Sequence, residues 1–248
     1  MSRAQSPGGP RSSSDARETG VDAGDTGIVW TVVVGGGSGS RFGGPKQYEP
    51  LDSRRVIDVS REVAEGCTDG VVVVVPAEDA QREGGVAGGV TRSASVRSGL
   101  AAVPENADVI CVHDAARPLA SAAIYQRVVD AVVAGADAAI PAIPVTDTIK
   151  VLDRAVSVAD GDLLGSVVET PDRSRLVAVQ TPQAFRASRL RAAHANETDA
   201  TDDAALVEAM GGRVVVVRGE VANLKITEPD DLEWARRHVA RSSAGGDG

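Results

Sequence analysis

The chain has 248 residues, 42% hydrophobic and 25% charged, enough for one large folded domain or two small ones. Its net charge of −9 argues against general nucleic-acid binding, which wants a basic face, and no apolar run approaches a membrane span. Cys67 and Cys111 are too few for a disulfide scaffold and lack zinc-ligand spacing, so buried thiols in a cytoplasmic protein are expected.

Residues 1–26 are rich in Ser, Gly, Asp, Arg and Pro with almost nothing to bury, and they have no apolar core of a secretory signal. A disordered extension is expected there, and a second one over 242–248. Between them short apolar runs alternate with amphipathic ones. Strands are expected over 28–34, 71–75, 109–112, 138–143 and 214–217. Helices are expected over 55–65, 94–102, 121–134, 187–195, 202–210 and 229–240. Unbroken Val/Ile runs describe strands covered on both faces, hence a mostly parallel sheet with crossover helices on both sides. That is a doubly wound α/β domain over about 27–241, with ligands beyond the carboxyl ends of its strands. Residues 145–173 break the alternation: two β-branched runs flank a turn containing Asp-Gly, which reads as a projecting β-arm over about 146–173. An exposed apolar arm usually finds a partner, and a symmetric dimer is the commonest solution.

The most informative stretch is TVVVGGGSGSRFGGPKQ, residues 31–47. A buried strand empties into a glycine-rich loop whose backbone can close around an anion, with Arg41 and Lys46 aimed at the same place. It is not a dinucleotide fingerprint, because Phe42 stands where the third glycine should be. Nor is it a P-loop, because Pro45 precedes Lys46 and Gln47 replaces the hydroxyl that binds magnesium. A nucleoside triphosphate loop is the functional reading, and a surface loop the bland one. Only three of the 26 basic residues are lysines, Lys46, Lys150 and Lys225, which marks each as a candidate for a site that needs a compact ammonium, against chance survival on the surface.

Further along, HDAARP at 113–118 closes a strand. Asp114 there is placed to hold Mg²⁺ or its waters, and Arg117 to pair with it or reach a phosphate. GGVTRSASV at 88–96 joins a glycine pair to a helix start, where Ser93 or Ser95 would cap the helix and the glycines would admit a flat base. Asp202 and Asp203 read as acids in a first helical turn. Lys225 lies just ahead of a helix opened by Thr227 and Pro229.

Seven motifs in order, GSGSRFGGPKQ, HDAARP, PVTDTIK, TPDRSRL, QTPQAF, TDDAALVE and NLKIT, resemble those of 2-C-methyl-D-erythritol 4-phosphate cytidylyltransferases over about residues 28–240. The resemblance implies a Rossmann-like nucleotidyltransferase domain and a homodimer whose arms exchange. It implies transfer of the cytidylyl group of CTP to the acceptor phosphate with Mg²⁺. Arg41, Lys46, Arg173 and Lys225 match the catalytic cations. Gly35, Gly36, Gly37, Gly39, Lys46, Gly89, Ser95, Asp114, Ala115 and Arg117 match positions around CTP, with Asp114 the one at the metal. Thr148, Arg173, Thr181, Thr201 and Lys225 match positions around methylerythritol phosphate, with Thr148 and Arg173 reaching the neighbouring subunit. Two positions depart from the family: Gly35-Gly36 replaces its usual pair of alanines, and Val90 stands where a polar residue is common. The rival readings are a cytidylyltransferase for another polyol phosphate, such as ribitol 5-phosphate, and a nucleotide-binding protein that has lost turnover.

Overall fold

The computed structural model describes residues 26–37, 42–156, 164–196, 198–200 and 202–244, with the backbone alone for 242–244. The first half lays down β1 (Val29–Val34), the short pair β2 (Pro50–Leu51) and β3 (Arg54–Arg55), then α1 (Val56–Glu65) and β4 (Gly70–Val75). A single turn α2 (Ala80–Glu83), a short β5 (Val86–Ala87), α3 (Arg92–Ala102), β6 (Val109–Asp114), α4 (Ala122–Val133) and β7 (Ala138–Pro144) follow. The arm carries β8 (Val151–Leu152) and β9 (Val167–Glu169). The chain returns through β10 (Val177–Val179), β11 (Gln183–Arg186), α5 (Ala187–His194), α6 (Asp203–Ala209), β12 (Val214–Arg218) and α7 (Pro229–Ala244).

The main sheet runs β5-β4-β1-β6-β11-β7-β12, with β10 continuing the β11 row along β7. All neighbours are parallel except β10 and β11, which run against β6 and β7. The expected mostly parallel sheet is therefore present, with one antiparallel row inserted. That row escapes a propensity reading because Gln183–Arg186 holds no β-branched residue. Its strand character comes from neighbours on both sides.

Alternation along the strands sorts the core onto two faces. Val32, Val74, Ile110, Val112 and Phe185 meet Val96 and Leu100 of α3, Leu190 of α5 and Leu206 of α6. Val33, Val73, Val75 and Cys111 meet Ile57 of α1 and Val128 and Val132 of α4. A smaller cluster joins Leu232 and Ala235 of α7 to Leu51, Val56 and Ile226. Gly99 lets α3 lie flat on β1 and β4, since a methyl group there would collide with Val32 and Val74.

Helix ends follow the sequence with three corrections. Thr91 caps α3 by accepting from the Ala94 N–H at 3.1 Å, so neither Ser93 nor Ser95 is the cap. Asp231 accepts from the backbone of Thr227 and Glu228, so a carboxylate inside α7 closes its own N-terminus in place of Thr227. α7 also runs on to Ala244, three residues into the segment read as a disordered tail. Residues 1–25 and 245–248 lie outside the described residues.

The arm pairs Val151 with Glu169 and Leu152 with Val167 in antiparallel register. Val151, Val167 and Val168 are all exposed in the isolated chain.

Candidate active site

A cleft of about 530 Å³ opens at the carboxyl ends of β1 and β6. Gly35, Gly36 and Gly37 form one wall, Gly89, Val90 and Thr91 another, and Asp114 and Ala115 the floor. Lys46 and Lys225 project into it, joined by Arg92. The parallel topology explains the location: β1 and β6 are paired along their full lengths, so the loops behind them emerge side by side.

Asp114 is the hub. Lys225 Nζ donates to Oδ2 at 2.7 Å, and Arg92 Nε lies 3.3 Å from Oδ1. Burial pushes the Asp114 carboxyl up, but Arg92, Lys225 and Arg117 together outweigh it and hold the group well below the usual carboxylate range. It stays ionised through the working pH range. Lys225 is brought there by its backbone: the Ile226 N–H donates to the Ala116 carbonyl at 2.8 Å, tying this strand of loop to the turn behind β6.

Arg117 does not line the cleft. Its Nη1 and Nη2 donate to the carbonyls of Asn223 at 2.8 Å and Val179 at 3.2 Å. These bonds clamp the Lys225 loop, as a part-buried guanidinium satisfied by carbonyls does, and its charge also acts on Asp114.

Thr181 is buried too, where an acceptor-binding hydroxyl was expected. Its Oγ1 accepts from the Asp114 N–H at 3.0 Å and lies 3.1 Å from His113 Nδ1. It fixes the floor rather than facing the opening. Ser95 lines the cleft, and its hydroxyl accepts from the Gly89 N–H at 3.1 Å. Gly89 itself is required by packing, since a Cβ there would sit on Ala94.

Neither Gly35 nor Gly36 has a left-handed φ. A methyl group at Gly35 would come 3.1 Å from the flexible end of Ile57, and one at Gly36 would come 3.3 Å from the Ser95 hydroxyl. Arg41, Gly39 and Thr201 lie outside the described residues. Thr148 and Arg173 belong to the arm region and do not line this cleft; Arg173 Nη1 donates to the Thr146 carbonyl at 2.7 Å.

Arg92 is the residue that sequence reading missed. A cation at the first position of a helix opposes the dipole. Its presence in GGVTRS was the available signal that carboxylates must hold it. Gln47, read only as a non-matching P-loop position, is buried and lines the cleft.

His113 is packed, as its strand-end position suggests. Its Nε2 donates to the Arg117 carbonyl at 3.2 Å, which leaves Nδ1 to accept from Thr181. Burial first, and Arg117 after it, drive its pKa from 6.5 down to about 4. The unfolded chain therefore binds this proton earlier than the folded one, and stability falls as pH drops between those values. The loss expected by pH 4 is on the order of 3 kcal/mol. Urea midpoints at about pH 7 and about pH 4.5, compared between the natural chain and His113→Gln, measure it. An equal acid slope in both proteins would remove His113 as its source.

Among the described residues no group of three or more His, Cys, Asp or Glu side chains gathers to hold a metal. No helix there is long and apolar enough to cross a membrane.

The family model for IspD, 2-C-methyl-D-erythritol 4-phosphate cytidylyltransferase, matches residues 29–241. A protein of that name from Nocardia farcinica is 40% identical over 237 residues, covering 90% of this chain and 99% of the relative. One from Rhodococcus jostii is 43% identical over 226 residues, covering 86% and 96%. Among solved structures, the cytidylyltransferase of that name from Thermus thermophilus superposes with a TM-score of 0.70 at 32% identity, covering 86% of this chain and 99% of the other.

Proposed function

The chain belongs to the 2-C-methyl-D-erythritol 4-phosphate cytidylyltransferase family, and on that premise we propose how its cleft carries the reaction. It is a nucleotidyltransferase of isoprenoid biosynthesis that transfers the cytidylyl group of CTP to 2-C-methyl-D-erythritol 4-phosphate. The products are 4-diphosphocytidyl-2-C-methyl-D-erythritol and pyrophosphate. An oxygen of the acceptor phosphate forms a bond to the α-phosphorus, the bond to the β-phosphate bridging oxygen breaks, and its electron pair leaves with pyrophosphate. The nucleophile is already ionised, so the site needs positioning and charge neutralisation rather than a strong base.

The observation that carries this reading is the meeting of Lys225 with Asp114 beneath a glycine loop that also presents Lys46. In our reading the backbone of Gly35–Gly37 and Lys46 receive the triphosphate, together with Arg41 from the same loop. Gly89 and Ser95 bound the nucleoside side. Lys225 and Arg173 hold the acceptor phosphate, with Thr148 beside it.

Asp114 is the one carboxylate among the described cleft-lining residues. A lone carboxylate suits Mg²⁺ taken chiefly by phosphate oxygens and waters, and does not suit an all-protein metal cage. Mg²⁺ bound there with the nucleotide would offset triphosphate charge. Asp114 would then exchange a cation partner for it.

The exposed valines of the arm support a homodimer in which Arg173 and Thr148 reach the partner's cleft. We place the protein in the cytoplasm. Pyrophosphate release with CTP and Mg²⁺ tests the assignment, with methylerythritol phosphate and ribitol 5-phosphate offered separately. Release with the first alone is expected. Release with ribitol 5-phosphate alone would overturn the acceptor.

A further inference from the structure

We propose that Asp203 is a positioning residue for this reaction: from the buried start of α6 it locks Arg92 onto Asp114, so that one cation stays on the cleft floor when Lys225 turns to the substrates. The proposal rests on the reading of the cleft given above.

Asp203 is fully buried, and both its carboxylate oxygens are used. Arg92 Nη1 donates to Oδ2 at 2.7 Å and His194 Nε2 to Oδ1 at 2.9 Å. A buried carboxylate is costly unless paired in this way. The helix does not need it for capping, because Asp202 does that work by accepting from the Ala205 N–H at 2.9 Å. His194, itself buried, holds the far oxygen and stops the carboxylate from turning.

The two cations on Asp114 are thus anchored differently. Lys225 has a side chain 40% exposed and reaches Asp114 from a loop. Arg92 is 24% exposed and divides its guanidinium between two carboxylates, with the shorter bond to Asp203. Its position at the first residue of α3 is electrostatically unfavourable without such an anchor. Two further bonds bolt the same corner together. Thr91 Oγ1 donates to Asp199 at 2.8 Å, and the Ala200 N–H donates to Ser93 Oγ at 3.2 Å. The connection between α5 and α6 therefore helps set the geometry of the cleft.

The test is a double-mutant cycle on the full chain: natural protein, Asp203→Asn, Arg92→Ala and the double variant. Each is assayed for pyrophosphate release, for CTP affinity by calorimetry and for melting temperature. Asp203→Asn is expected to lower kcat/KM for CTP about 10-fold, but less than about 2-fold when added to Arg92→Ala. A residue that only supports the fold would lower activity by the same factor in both backgrounds. That result, or unchanged turnover in Asp203→Asn, overturns the proposal. If Asp203→Asn does not fold, Arg92→Lys carries the test, since an ammonium cannot span both carboxylates. It should lose about 10-fold, and full turnover would overturn the bridge. Absence of release from the natural protein would overturn the cleft reading itself.

Discussion

Lys225→Ala is expected to lower kcat/KM for the transfer by about 100- to 1,000-fold, the cost of removing one preorganised charge from a transition state that carries several. The effect should fall on turnover more than on CTP. In the substrate-free cleft Lys225 neutralises Asp114, and a nucleotide held by the glycine loop and Lys46 does not depend on it. Affinity for CTP by calorimetry should therefore change less than about 3-fold. The fold should survive, because Asp114 keeps Arg92 at 3.3 Å and its N–H keeps Thr181 at 3.0 Å. Lys225→Arg makes a sharp control. It retains charge but replaces a compact ammonium with a planar fork, so only partial recovery is expected. Normal turnover in Lys225→Ala would remove the residue from the reaction. A collapse of CTP affinity with little effect on turnover at saturation would reassign it to nucleotide binding.

The parts of the fold that were legible are those where local chemistry and burial agree. The apolar runs at 71–75, all valine, and at 109–112, Val-Ile-Cys-Val, sit in the middle of a sheet covered on both faces, so propensity and environment point the same way. β11 was illegible because Gln183 and Ala184 have no strand preference of their own. They become strand only by pairing with β6 and β7. The site divides along similar lines. Lys225, Lys46 and the glycine loop were readable because scarce lysine and clustered glycine are visible in a linear string. The partners of Arg117 and Thr181 were not legible, for a different reason. Residue type gives hydrogen-bonding capacity, whereas burial decides whether a ligand or the backbone takes it. Val179, Thr181 and Asn223 are remote from Arg117 in sequence, yet all converge beneath the floor. Asp203 shows the limit clearly: beside Asp202 in the string it looks like a second helix-start acid, and only tertiary structure separates the cap from the buried anchor.

Arg173→Ala should abolish most use of the acceptor, yet mixing it with Lys225→Ala should restore activity. Arg173 lies outside the cleft of its own chain, bonded to Thr146, while the exposed valines of β8 and β9 need a cover. If the arm serves the partner's cleft, each variant lacks a different part of a shared site. A mixed dimer then contains one cleft with neither defect and one with both. Random exchange makes half the dimers mixed, so about a quarter of the natural rate is expected, rising from nearly nothing in either parent. Subunits must exchange during the assay, so mixtures are taken through a mild denaturant step and compared with parents treated alike. Recovery requires a dimer, a cleft built from two chains and distinct roles for the two cations, all at once. Activity no higher than the sum of the parents would place Arg173 in its own chain's site or outside the reaction. An unaltered KM for methylerythritol phosphate in Arg173→Ala would select the second of those.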